Sequence, residues 1–172
     1  MKQISVDMDG VIANVYSQFI QMHAAEFGEV LTSAAIDGKP ETTAFLNAMK
    51  YVTSPGFFLY APVIENSQAV MQKLNERYKL FIVSAAMEFP ASLPEKKSWL
   101  AIHFPFITWH QIVFCGSKEI IKADIMIDDH FKNLDVFSGQ TLLFTQPHNL
   151  LANSGRHNRV NSWIEIEQVL LL

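Results

Sequence analysis

The chain has 172 residues, 49% of them hydrophobic and 17% charged, with a formal net charge of −4. This composition excludes a disordered chain and fits one globular domain with a sizeable buried core. The acidic balance argues against a nucleic-acid polymer as partner, but not against one phosphorylated small molecule held by a local cation and a lysine.

Residues 2–7 read as a buried first strand, ending in Asp7-Met8-Asp9-Gly10-Val11. A strand alternates its side chains with period 2, so Asp7 and Asp9 can face one side while Gly10 lets the chain turn away. Val15, Phe19, Met22 and Phe27 predict a helix over 14–27, closed by Gly28. Residues 29–60 are less regular, with a break at Gly38-Lys39-Pro40, a short helix over 41–51 and a turn at Ser54-Pro55-Gly56. Residues 14–60 are therefore expected to form a small helical cap inserted after the first strand, with the core made of 1–13 and 61–172.

A helical pattern resumes over 65–77. Strands are expected at 80–83, ending at Ser84, at 112–114, ending at Cys115-Gly116, and at 125–127, ending at Asp128-Asp129. A last strand covers 141–144. Helices are expected at 95–103 and 162–171. Short apolar strands alternating with helices imply one α/β domain, a three-layer Rossmann-like parallel sheet covered on both faces. The lone Cys115 cannot form an intrachain disulfide, which points to a reducing, cytoplasmic setting. Asp7 and Asp9 interrupt the only early apolar stretch, so no secretory signal is read. The uncharged stretch 98–117 is broken by His103, Pro105, His110 and Gln111 and is not read as a membrane span.

Ligands of open parallel sheets bind at the carboxyl ends of the strands. There the topology gathers Asp7, Asp9, Ser84, Lys118, Asp128 and Asp129. A site with four Asp needs a cation before it can accept a phosphate dianion, and an all-oxygen set suits Mg²⁺ better than zinc.

These pieces, in this order and spacing, resemble the haloacid dehalogenase superfamily of phosphohydrolases over residues 2–145. A narrower resemblance is to the 5′(3′)-deoxyribonucleotidase family. It rests on Val6-Asp7-Met8-Asp9-Gly10-Val11-Ile12-Ala13, on Gly56-Phe57-Phe58 leading to Pro62, and on Ser117-Lys118 ten residues before Asp128-Asp129. Ser84-Ala85-Ala86-Met87, Trp99-Leu100 and Phe104-Pro105-Phe106 look like its bacterial branch.

The resemblance implies Mg²⁺-dependent hydrolysis of deoxyribonucleoside 5′(3′)-monophosphates through an aspartyl-phosphate. It makes Asp7 the nucleophile and Asp9 the general acid and base. Mg²⁺ would be held by Asp7, the Asp9 backbone carbonyl and Asp129, with Asp128 orienting that shell. Ser84 and Lys118 would hold phosphate, with Ala85 beside them. Animal members carry a second hydroxyl where this chain has Ala85, a lysine at Glu88, and an aromatic residue at Val15. Those departures keep open a phosphatase of the same superfamily acting on a sugar phosphate or another small phosphorylated metabolite. A non-catalytic protein of the same fold and a phosphotransferase are the further alternatives.

Phe45 and Phe57 are candidate base-stacking residues, although packing between cap and sheet is the favoured reading of Phe57-Phe58, and Phe45, Tyr16 and Phe19 carry the same two readings. Lys122 reads as solvated, and Lys96 as either solvated on its helix or near the entrance of the site. Arg156-His157-Asn158-Arg159 reads as a solvated loop and Cys115 as buried filler. No histidine is assigned a direct metal role.

Overall fold

The computed structural model describes residues 1–172. Its centre is a six-stranded, all-parallel sheet in the order β3-β2-β1-β4-β5-β6. The strands are β1 (Gln3–Val6), β2 (Lys79–Ser84), β3 (Ile112–Phe114), β4 (Ile125–Asp128), β5 (Gln140–Phe144) and β6 (Asn158–Val160). The chain leaves β1 towards β2 and returns on the other side at β4. The carboxyl ends of β1 and β4 thus lie side by side at a topological switch point.

Five helices lie between β1 and β2, the first four of them within the expected cap: α1 (Val15–Phe27), α2 (Ser33–Ile36), α3 (Glu41–Ala44) and α4 (Ala48–Val52). They are followed by α5 (Ser67–Arg77), and then α6 (Ser92–His103), α7 (Phe131–Leu134) and α8 (Trp163–Leu171). No helix is long and apolar enough to cross a membrane.

Strand alternation divides the core. Ile4 and Val6, Ile125 and Ile127, and Leu142 and Phe144 point to one face, where α5, α6 and α8 supply Val70, Leu74, Trp99, Trp163 and Ile166. Met126 and Leu143 point to the other, covered by Leu134 of α7 and Phe137. The result is three layers, with one face covered far more heavily than the other. The trailing indoles are tied as well as buried: Trp99 donates to the Ala61 carbonyl at 2.7 Å and Trp163 to the Val11 carbonyl at 2.8 Å.

Residues of the β1–β2 connection form a separate apolar cluster around Val15, Phe19, Phe45, Tyr51, Phe57 and Phe58. α1 begins at Asn14, whose side chain accepts from Ser17 N, and ends at Gly28 in the left-handed region. The single helix expected over 41–51 is two helices. Phe45 takes an extended backbone, φ −119°, which sends its ring inward and breaks the helix between α3 and α4.

β6 was not expected. Three residues with two polar side chains carry too little periodicity to read as a strand. Arg159 is not solvated: its guanidinium donates to Thr145 Oγ1 at 3.1 Å, Asn149 Oδ1 at 3.0 Å and the Ala152 carbonyl at 2.8 Å. Arg156 donates to the carbonyls of Leu134 and Phe137, both at 2.7 Å, and so closes the C-terminal end of α7. Cys115 is half-buried, its Sγ 3.6 Å from the Ser84 carbonyl.

Candidate active site

Asp7 follows β1 directly, and its amide donates to the Ile127 carbonyl of β4 at 2.9 Å, so the sheet itself fixes where the carboxylate starts. Lys118 arrives from the turn after β3. Its ammonium bridges Asp7 Oδ1 and Asp128 Oδ2, each at 2.6 Å, with all three side chains buried. Burial pushes Asp7 up to about 6, against the pull of Lys118 and with Asp128 and Asp9 adding to the rise. Burial also works against the Lys118 charge, but Asp128 and Asp7 outweigh it and hold the proton above the ordinary lysine range. The two directions are compatible because several carboxylates compete for one ammonium.

Asp9 faces the same space from the loop after β1, and Gly10 turns the chain away with φ +74°. A Cβ on Gly10 would fall on the Asp129 carboxylate, so the close approach of these loops requires glycine. Lys96 pairs with Asp9 Oδ2 and donates to Ser84 Oγ at 3.0 Å. Its ammonium also lies 4.5 Å from the centre of the Phe58 ring. Ser84, the last residue of β2, is therefore held by a lysine and not by solvent.

Asp7, Asp128 and Asp129 bring carboxylate oxygens within 4.8 Å of one another. Their bonding differs. Asp128 Oδ1 accepts from His130 N at 2.9 Å and Asn133 Nδ2 at 3.0 Å, while its Oδ2 accepts from Lys118 and Asn133. Asp129 Oδ1 is buried without a hydrogen-bond partner, and so is Asp9 Oδ1. Buried oxygens without donors are costly unless a cation takes them. Burial, then Asp7 and Asp128, raises the Asp129 pKa well above the carboxylate range. Asp7, Asp9, Asp128 and Asp129 against Lys96 and Lys118 leave a formal excess of two negative charges. An all-oxygen set with that excess fits a hard divalent cation.

The Asp129 backbone is itself fixed. Its carbonyl accepts from Asn149 Nδ2 at 2.8 Å and lies 2.9 Å from His148 Nε2. His148 Nδ1 lies 2.9 Å from the Tyr16 hydroxyl, which donates to Glu41 at 2.6 Å. This chain joins α1 and α3 to the loop after β4. Glu41, His130 and His148 are close together, but both nitrogens of His148 are engaged and its ring stacks on His130 at 4.3 Å. Parallel rings cannot both aim a lone pair at one ion.

A cavity of about 240 Å³ opens over Asp7, Asp9, Ser84 and Lys118. Its apolar lining is Val15, Phe19, Val52, Phe57 and Phe58, and Ala85, Glu88 and Lys132 line it as well.

The sequence profile of the family described as 5′ nucleotidase, deoxy (pyrimidine), cytosolic type C protein matches residues 1–172. The chain belongs to this family. A Bacillus subtilis relative named 5′(3′)-deoxyribonucleotidase is 39% identical over 173 residues, covering 99% of each chain. A haloacid dehalogenase-like hydrolase of Streptococcus pneumoniae shares the fold, with a TM-score of 0.64 and 13% identity over 98% of each chain. A HAD-hydrolase of Bacillus subtilis, solved bound to magnesium, shares it with a TM-score of 0.63 and 13% identity over 99% of each chain. Family and fold together make the chain a deoxyribonucleotidase-like hydrolase of phosphoric monoesters.

In this member of the nucleotidase family, Asp7, Asp9, Ser84, Ala85, Lys118, Asp128 and Asp129 all reach one site, and Phe57 lines its cavity. Phe45 does not. It is absent from the cavity lining and stacks on Phe19 at 4.8 Å, so it takes the packing role and supports a wall residue from behind. Lys96 is the second correction: it is 2% exposed and inside the site. The available signal was its spacing to Trp99 and Leu100, which places all three on one helix face.

Proposed function

We propose that the chain is a Mg²⁺-dependent phosphatase of deoxyribonucleoside 5′- or 3′-monophosphates working through an aspartyl-phosphate. The observation that carries this reading is that Asp7 and Asp9 each pair with a separate buried lysine beneath an aromatic-walled cavity. One end of the cavity suits a phosphoryl group and the other a flat base.

In this reading an Asp7 oxygen attacks phosphorus in line. The bond from phosphorus to the ester oxygen breaks, and Asp9 gives that oxygen a proton. Asp9 then takes a proton from water, whose oxygen attacks the aspartyl-phosphate and releases Asp7 and inorganic phosphate. Lys118 offsets charge on Asp7 and on the transferring group. Lys96 stands between Asp9 and Ser84, where a phosphate oxygen would take one of its bonds and leave Asp9 free to carry the proton. Asp7, the Asp9 carbonyl and Asp129 would hold Mg²⁺, whose positive charge stabilises the phosphoryl oxygens. Asp128, its acceptors already filled, would orient Lys118 and this shell.

Residues 14–60 act as the cap that admits the leaving group, and the site takes one small phosphomonoester, not a polymer. A reducing, cytoplasmic setting goes with the lone Cys115. The test is phosphate release with Mg²⁺ over deoxyribonucleotides, ribonucleotides and sugar phosphates. Highest kcat/KM on a deoxyribonucleoside monophosphate is expected. Turnover of sugar phosphates alone would overturn the substrate assignment.

A further inference from the structure

Glu95 does not line the cavity, yet its carboxylate is fully committed. Oε1 accepts from Gly56 N at 2.6 Å, and Oε2 accepts from Phe58 N at 3.1 Å and Leu59 N at 3.3 Å. No backbone carbonyl takes these three amides. Gly56 has φ +89°, and a Cβ there would run into the Tyr60 ring, so the turn is tight. The turn carries Phe57 and Phe58, both of which line the cavity. Glu95 and Lys96 are consecutive on α6. One grips the backbone behind the aromatic wall, and the other reaches Asp9 and Ser84 and passes 4.5 Å from the Phe58 ring.

We infer that Glu95 is a positioning residue that sets the aromatic wall relative to the phosphoryl site and so decides which leaving groups are accepted. The inference rests on the functional reading above. Charge-assisted bonds from one carboxylate to three amides fix a turn more tightly than loop packing alone. Because the same helix supplies Lys96, the wall and the phosphate-facing lysine share one rigid support. A small aryl phosphate does not use the wall, whereas a nucleotide does.

The experiment compares wild type, Glu95→Gln and Glu95→Ala on deoxyribonucleoside monophosphates and on 4-nitrophenyl phosphate, with Mg²⁺, together with amide hydrogen exchange. Glu95→Gln, which keeps one acceptor oxygen and the side-chain volume, is the milder variant should Glu95→Ala fail to fold. The expected result is faster exchange at Gly56, Phe58 and Leu59, a rise in nucleotide KM of roughly tenfold, and an aryl-phosphate kcat within about twofold of wild type. Equal losses on both substrate classes, or unchanged exchange at the three amides, would overturn the assignment. Wild-type protein that hydrolyses the aryl ester but no nucleotide would overturn the functional reading and, with it, this inference. Nucleotide turnover by wild type with no split in Glu95→Gln would overturn the inference alone.

Discussion

Lys96 closes on the Asp9 carboxylate from the second turn of α6, with its ammonium buried and its stem beside Phe58. The pair links Asp9 to the helix that also carries Glu95, and it gives the site a second cation beside Lys118. A buried lysine with a carboxylate and a hydroxyl as partners is committed to that position, since burying its charge unpaired would be costly.

Lys96→Met should therefore lower kcat/KM on every substrate by about 10²-fold or more, because it removes charge next to the transferring group. Lys97→Ala, one position along on the exposed side of α6, should leave it near wild type. Steady-state kinetics on a nucleotide and an aryl phosphate decide it. Equal, small effects from the two substitutions would mean that Lys96 plays no part in the chemistry.

Asp7→Asn should abolish turnover with little loss of fold. An amide cannot form the acyl-phosphate, and removing a nucleophile takes away on the order of 10³-fold or more. Rapid-quench mass spectrometry of wild type with substrate should find one added phosphoryl group, absent in Asp7→Asn. A folded Asp7→Asn protein with wild-type kcat would sink the covalent mechanism.

The crowded carboxylates predict a pH dependence with a definite sign. Burial raises Asp7 from 3.8 to about 6 and raises Asp129 further above its ordinary range. Between the unfolded and folded values the native state binds more protons than the unfolded one. The contribution of Asp7 to stability is thus fully present below pH 3.8 and is lost as pH rises through about 6, and that of Asp129 is lost at its own raised value. In EDTA, Asp129→Asn should melt above wild type at pH 7, by roughly 2–4 °C per kcal/mol of relieved repulsion, and the gap should shrink as pH falls. Mg²⁺ should raise the wild-type Tm at pH 7 but not that of Asp129→Asn. A variant that melts below wild type in EDTA at every pH would show that no repulsion is stored there.

Much of this site was legible because buried apolar strands stop at chemistry. Ile4 to Val6 runs into Asp7, Leu80 to Val83 into Ser84, and Ile125 to Ile127 into Asp128, so strand ends alone collect the groups. Lys96 and Glu95 were hidden for a different reason. Each is a charged residue in a charged run, which reads as a solvated helix face, and the partners that hold them inward lie on other elements. The Tyr16–His148 contact joins residues 132 positions apart, and local pattern carries no trace of such a pair. β6 was illegible because its strand character comes from pairing with β5, not from its own three residues.

The two phenylalanines expected to act alike should separate. Phe57 is buried almost as fully as Phe45 but belongs to the cavity lining, while Phe45 lies behind the wall between Tyr16 and Phe19. Phe57→Leu reshapes the wall that a base would meet, so nucleotide kcat/KM should drop about tenfold while the aryl-phosphate rate holds. Phe45→Ala leaves a void in the cap cluster and should destabilise the protein by about 3–5 kcal/mol. Its kinetic effect should follow from loss of folded protein, equally on both substrates. Lys118→Ala should depress both substrates together in protein that stays folded, because it acts on the group they share. Thermal melts and kcat/KM on a deoxynucleotide and an aryl phosphate distinguish the three. If Phe45→Ala re-ranks substrates while Phe57→Leu only lowers the Tm, the face of the cap that meets the substrate has been assigned to the wrong aromatic.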